Sequence, residues 1–159
     1  MRLTLEGHID TPNATAGDVM RAVAKMARPD GPTFIVLESE DRRYCQAAGT
    51  NGRYVIESRT PFGEGFQHFR VWHPVAGPGE ATVVPYRRRR PYPLKVLTSE
   101  VCVFADVERV MHRFATARRR DPRFQWRDVT SELLAEALAT RPDPECIISL
   151  KSVRAARLD

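Results

Sequence analysis

Residues 33–72 constrain this chain more than any other stretch. Thr33-Phe34-Ile35-Val36-Leu37 is a short apolar run rich in β-branched residues, entered through Asp30-Gly31-Pro32. Arg42-Arg43-Tyr44-Cys45-Gln46-Ala47-Ala48 follows and ends at Gly49-Thr50-Asn51-Gly52, a turn by composition. The next segment alternates: Tyr54, Ile56 and Ser58 point one way, and Arg53, Val55, Glu57 and Arg59 the other. After the break at Pro61-Phe62-Gly63-Glu64-Gly65, residues 66–72 alternate again. Period-two patterning bounded by Gly and Pro clusters predicts an antiparallel meander. One face of such a sheet is apolar and must be covered, which calls for helices on one side.

The flanking segments supply those helices. Thr15, with Asp18 three residues on, has the spacing of a helix cap, and Val19, Val23 and Met26 form an apolar stripe behind it. A second helix is predicted from near Asp106, with Val107, Val110, Met111 and Phe114 on one face. A third is predicted over residues 128–139, burying Val129, Leu133, Leu134, Ala137 and Leu138, with Phe124 and Trp126 as an aromatic anchor ahead of it. Further strands are expected at residues 3–9, on an edge, and at 81–84, 94–104 and 146–150, with a frayed tail from Lys151. The predicted fold is α+β: one domain over residues 1–159, a single mainly antiparallel β-sheet of about five to seven strands, and two or three packed helices.

No apolar run approaches the roughly 20 residues of a membrane span, and the N-terminus lacks the apolar core of a signal peptide. Cys45, Cys102 and Cys146 are odd in number and set among apolar residues, as reduced core thiols of a cytoplasmic protein are. The net charge of +5 is concentrated. Residues 81–123 hold eleven arginines and lysines against four acids, Glu100, Asp106, Glu108 and Asp121. That segment is where a polyanion or an acidic partner is expected to dock first.

Within it, Tyr86-Arg87-Arg88-Arg89-Arg90-Pro91-Tyr92 is the least ordinary stretch. Four adjacent arginines repel one another, and Pro85, Pro91 and Pro93 forbid a helix, so residues 85–93 are expected to form an exposed loop. Arginines beside Tyr86 and Tyr92 suit an acidic protein surface or a nucleic-acid backbone. Arg118, Arg119 and Arg120 fall in the last turn of the second helix, where cations offset the free carbonyls, and they extend the same candidate surface.

The remaining polar residues carry no recognisable chemistry. Residues 38–43 read as a hairpin turn, not as a general acid–base pair. His68 and His73 are five apart and point to opposite faces of a strand. The chain contains neither Cys-x-x-Cys nor His-x-x-x-His, so no metal or cofactor is expected; a ligand set would have to be assembled from distant segments. Nucleotide-binding and hydrolase signatures are missing as well.

The order of elements carries one resemblance. A helix leads into Phe34-Ile35-Val36-Leu37-Glu38, a meander contains Tyr54-Val55-Ile56-Glu57, and a late amphipathic helix passes through Asp121-Pro122-Arg123-Phe124 to Gln125-Trp126. Over residues 15–130 this is similar to small bacterial immunity proteins, which neutralise polymorphic toxins by binding the toxin domain. The resemblance implies a non-catalytic protein-binding protein, an antitoxin whose partner is a toxin domain or another acidic protein. The alternative is a basic nucleic-acid-binding accessory protein using residues 87–90, and the third reading is a small enzyme with an unrecognised site.

Overall fold

The computed structural model of the protein describes residues 1–6, 9–87 and 90–139. Seven strands form one antiparallel sheet, and three helices pack with it. In chain order the elements are β1 (Arg2–Leu5), β2 (Ile9–Thr11), α1 (Ala16–Met26), β3 (Phe34–Glu38), β4 (Tyr44–Thr50), β5 (Arg53–Phe62) and β6 (Gly65–Trp72). There follow β7 (Glu80–Val83), β8 (Tyr86–Arg87), β9 (Arg90–Pro91), β10 (Leu94–Leu97), α2 (Phe104–Ala117), β11 (Gln125–Asp128) and α3 (Thr130–Ala139). The large sheet runs β11-β6-β5-β4-β3-β1-β2. The expected α+β class and antiparallel meander are therefore the observed ones.

Alternation decides which face is which. Leu3, Leu5, Ile35, Leu37, Cys45, Ala47, Ile56 and Val71 are all buried on one face, against Val19 and Val23 of α1 and Val107, Val110, Met111 and Phe114 of α2. Each such aliphatic or aromatic side chain contributes about 1.5–3 kcal/mol when fully buried. Thr15 caps α1 as the spacing predicts: its hydroxyl accepts from the Asp18 N–H at 3.2 Å, and its own N–H donates to the Asp18 carboxylate at 2.8 Å. Gly49 allows the β4–β5 hairpin to close, because a Cβ there would lie 2.1 Å from the Arg53 carbonyl oxygen.

The opposite face is polar and partly roofed by the β7–β10 ribbon, whose Val83 and Val96 pack on Val55. Across it runs a ladder of directly opposed side chains, Gln46, Glu57, Arg70 and Arg127, from β4, β5, β6 and β11. Glu57 accepts from Gln46 at 2.5 Å and from Arg70 at 2.7 Å. Glu100, only 1% exposed, bridges Arg70 (3.5 Å) and Arg127 (2.9 Å) and accepts the Leu97 N–H at 3.1 Å.

Several expected boundaries move. The strand placed at residues 3–9 is two strands, with β1 inside the sheet and β2 at its edge. Strand β5 continues through Pro61, tolerated because β4 begins only at Tyr44, opposite Arg59, and asks no N–H of Pro61. The strand expected over residues 94–104 stops at Leu97; a 3-10 turn (Thr98–Glu100) intervenes, and Cys102 then bridges Tyr54. The second helix begins at Phe104, with Asp106 accepting the Val103 N–H at 3.1 Å. Of the aromatic anchor, Phe124 leads into a strand, β11, and Trp126 lies within it. Of the expected buried side of α3, Val129 is enclosed but Leu134 is 56% exposed. The side chains of Ala137 and Leu138, the strand expected at 146–150 and the tail lie outside the described residues. Among the described residues no helix is long and apolar enough to cross a membrane.

Removing one partner from a buried ion pair leaves an uncompensated charge, at a cost of about 3–5 kcal/mol. Glu100→Gln should therefore lower the urea unfolding midpoint by a corresponding amount with an unchanged denaturant slope. A loss under about 1 kcal/mol, the scale of a surface pair, would show that Glu100 does not anchor this network.

Candidate functional site

At one end of the sheet the β5–β6 hairpin overshoots its neighbours. Strand β4 begins at Tyr44, while β5 runs on to Phe62 and turns at Gly63, whose φ of 54° a glycine adopts without strain. Phe62 at the tip is 67% exposed. Beside it, the β3–β4 turn closes with the Ser39 N–H donating to the Arg43 carbonyl at 2.9 Å and the Ser39 hydroxyl donating to Asp41. The turn sends Arg42 and Arg43 to opposite faces: Arg43 lies on the helix side and Arg42 stacks over Phe66 on the open side.

On the helix side these elements and the end of α2 enclose a cleft of about 440 Å³. Arg118 takes the left-handed conformation that ends α2 (φ 55°), donates its N–H to the Phe114 carbonyl at 2.9 Å and directs its guanidinium to the Ala115 carbonyl. That is the helix-end role the sequence assigns to a cation here. Arg119 is exposed at the cleft wall. Arg120 lies flat on Phe69, 3.6 Å from the ring centroid, and 5.9 Å from Trp126; burial draws its pKa below the ordinary arginine value. Ser58, Thr60 and Arg43 complete the wall from β5 and the turn. Asp121, 1% exposed, is the cleft's acid, and Arg123 holds it through Nε at 3.0 Å and a terminal nitrogen at 2.5 Å. Its carboxyl lies below the ordinary aspartate value because of those hydrogen bonds. Trp126 is fixed by its indole N–H, which donates to the Asp121 carbonyl at 3.0 Å.

The open side of the same end carries a second cationic group. Arg59 is only 4% exposed, and its guanidinium lies between Tyr44 (4.4 Å) and Phe66 (4.2 Å). Its Nε is buried without a hydrogen-bond acceptor, and burial lowers its pKa. His68, 5% exposed, follows in the same row, with its Nδ1 3.5 Å from the Tyr44 hydroxyl. Burial pulls its pKa down, which favours the neutral imidazole.

The structure thus gathers Arg118, Arg119 and Arg120 into one cleft. The backbone at Tyr86, Arg87, Arg90 and Pro91 forms a short paired ribbon, closed by the Tyr92 N–H donating to the Pro85 carbonyl at 2.8 Å, where the sequence predicts an irregular loop. Arg88 and Arg89 lie outside the described residues. The β7–β10 ribbon that carries this segment is seated on the open face, through Val83 and Val96. Sequence reasoning missed Arg43, Ser58, Thr60 and Trp126 in the cleft, and Arg42, Tyr44, Arg59 and Phe66 beside it. The only available signal was the alternation of β5, which sets Ser58 and Arg59 on opposite faces without showing that both are buried. Compared with known proteins, the chain matches no family model and no curated protein.

Because Arg123 lowers the Asp121 pKa, the pair adds stability above the ordinary carboxylate range and loses it as pH falls through the lowered value. The gap in unfolding free energy between the wild type and Asp121→Asn should be widest near neutral pH and shrink on acidification. A gap independent of pH would show that the Asp121 charge contributes nothing.

Proposed function

We propose that this is a non-catalytic binding protein of the immunity type, a bacterial antitoxin that grips an acidic surface of a toxin domain or similar protein with the arginine end of its sheet. The observation that supports this reading most is the state of Arg119 and Arg120. Both line the cleft, and among the described residues neither forms an ion pair. Charge left open beside aromatic rings is what an acidic side chain of a partner would complete. Among the described residues the one carboxylate of the cleft is already held by Arg123, which favours recognition over acid–base chemistry.

A protein partner fits better than a nucleic acid. The cleft accommodates one or two side chains, whereas a nucleic-acid strand needs a groove that follows several phosphates. Next to it stand the exposed Phe62 and the Arg42, Tyr44, Arg59 and Phe66 stack, a combination of aromatics and arginine typical of protein contact centres. On this reading the protein works in the cytoplasm, where the buried thiols of Cys45 and Cys102 stay reduced.

The test is a pull-down of the tagged protein from lysate of its source cells, with and without nuclease, beside the variant Arg43→Glu/Arg119→Glu checked for an unchanged melt. The expected result is one stoichiometric acidic protein that survives nuclease and binds the variant at least about tenfold more weakly, with association that slows as salt rises. Undiminished binding by the variant would remove the cleft from the interface. Material that disappears with nuclease would put the nucleic-acid alternative first.

A further inference from the structure

At the far end of β6, away from the arginine cleft, three donor side chains from separate segments converge. His73 follows β6 directly, with its N–H donating to the Ser99 carbonyl at 2.7 Å and its ring packed edge-on to Phe124 at 6.3 Å. Cys102 is fully enclosed and pinned by two backbone hydrogen bonds to Tyr54, at 3.0 and 2.7 Å. Asp106 sits in the first turn of α2, 9% exposed, with Oδ2 3.6 Å from His73 Nε2. One donor atom from each residue lies within 4.8 Å of the other two.

We propose that His73, Cys102 and Asp106 bind one first-row transition-metal ion, zinc by preference, as a clamp between the end of β6 and the start of α2. Thiolate, imidazole and carboxylate are the zinc donor types, and three protein ligands leave the fourth position open. A tetrahedral ion with bonds of about 2.0–2.3 Å requires donors closer than they now stand, so the side chains must close by roughly 1 Å. His73 provides the independent sign. Its Nε2 is buried and has no hydrogen-bond partner, although the His73 side chain as a whole is 31% exposed and leaves a path for entry.

The thiol chemistry is consistent with this arrangement. Burial, and after it the Asp106 carboxylate, push the Cys102 thiol up to about 12, so without an ion the sulfur holds its proton. A divalent cation inverts that preference: the S–H bond breaks, a sulfur–metal bond forms, and the proton leaves to solvent. No short ligand motif shows in the sequence because His73 is far from Cys102, and the fold alone brings them together.

Cobalt titration of the chelator-treated full-length chain tests the site. The expected result is one equivalent of cobalt with a thiolate-to-metal charge-transfer band, displaced by one equivalent of zinc, and a zinc-dependent rise in melting temperature. Cys102→Ser should abolish the band while Cys45→Ser keeps it. His73→Ala, at a partly exposed position that tolerates change, should weaken binding by more than about tenfold, since removing even an outer partner of a metal ligand typically costs that much. No cobalt uptake by the folded wild type, or a charge-transfer band that persists in Cys102→Ser, would overturn the proposal.

Discussion

The Glu100 carboxylate is the interaction on which the rest of the structure depends. A carboxylate removed from water costs several kcal/mol unless its charge and lone pairs are matched, and Glu100 is 1% exposed. Arg70 reaches it from β6 and Arg127 from β11, and Arg70 is in turn tied to Glu57 on β5. Burial alone would lower the Arg70 pKa, yet Glu57 and Glu100 together raise it, and Glu132 followed by Glu100 raises that of Arg127, so both arginines stay charged. One acidic side chain thus fixes the 3-10 turn to the sheet and attaches β11 as an outer strand. The turn leads to Cys102, bridged to Tyr54, and then to the start of α2. The path of α2 determines where residues 118–120 emerge, and so where the cleft opens.

Charge is handled differently at the arginine end. Arg59 and Arg120 lie on aromatic rings and form no ion pair among the described residues, with Glu38 and Asp128 acting on them at longer range. Such stacking is worth about 0.5–2 kcal/mol and leaves the guanidinium nitrogens unsaturated. A chain selected only for stability would place an acid beside each. Leaving them on Tyr44, Phe66 and Phe69 sacrifices stability at one end of the sheet and concentrates positive charge there.

Much of this fold was readable from the chain, and the misses have physical causes. Strong periodic signals survived: the alternation of Tyr54, Ile56 and Ser58, the cap at Thr15, and the stripe from Val107 to Phe114 all became what they predict. Weak local signals did not. β11 is four residues, Gln125-Trp126-Arg127-Asp128, with little apolar patterning; it is a strand because Arg127 reaches Glu100 and Trp126 covers the core. The candidate site was legible only in part. Arg118, Arg119 and Arg120 are adjacent in sequence and stood out as a charge cluster. Arg43 and Thr60 reach the same cleft through strand register, which one sequence does not encode locally.

Buried polar groups in this molecule fall into two sets, and the division carries functional weight. Glu100, Glu57, Arg70 and Asp121 have their partners, and they hold the scaffold. Arg59 Nε, Arg43 Nε and His73 Nε2 are enclosed without a hydrogen-bond partner, the latter two within ion-pair reach of Asp41 and Asp106. Folded chains satisfy almost all such atoms, because each unsatisfied one costs about 1–3 kcal/mol. Arg59 and Arg43 lie at the arginine end of the sheet, and His73 lies at the other end, in the cluster with Cys102 and Asp106. The places where local satisfaction fails are where a second molecule or ion would complete the structure.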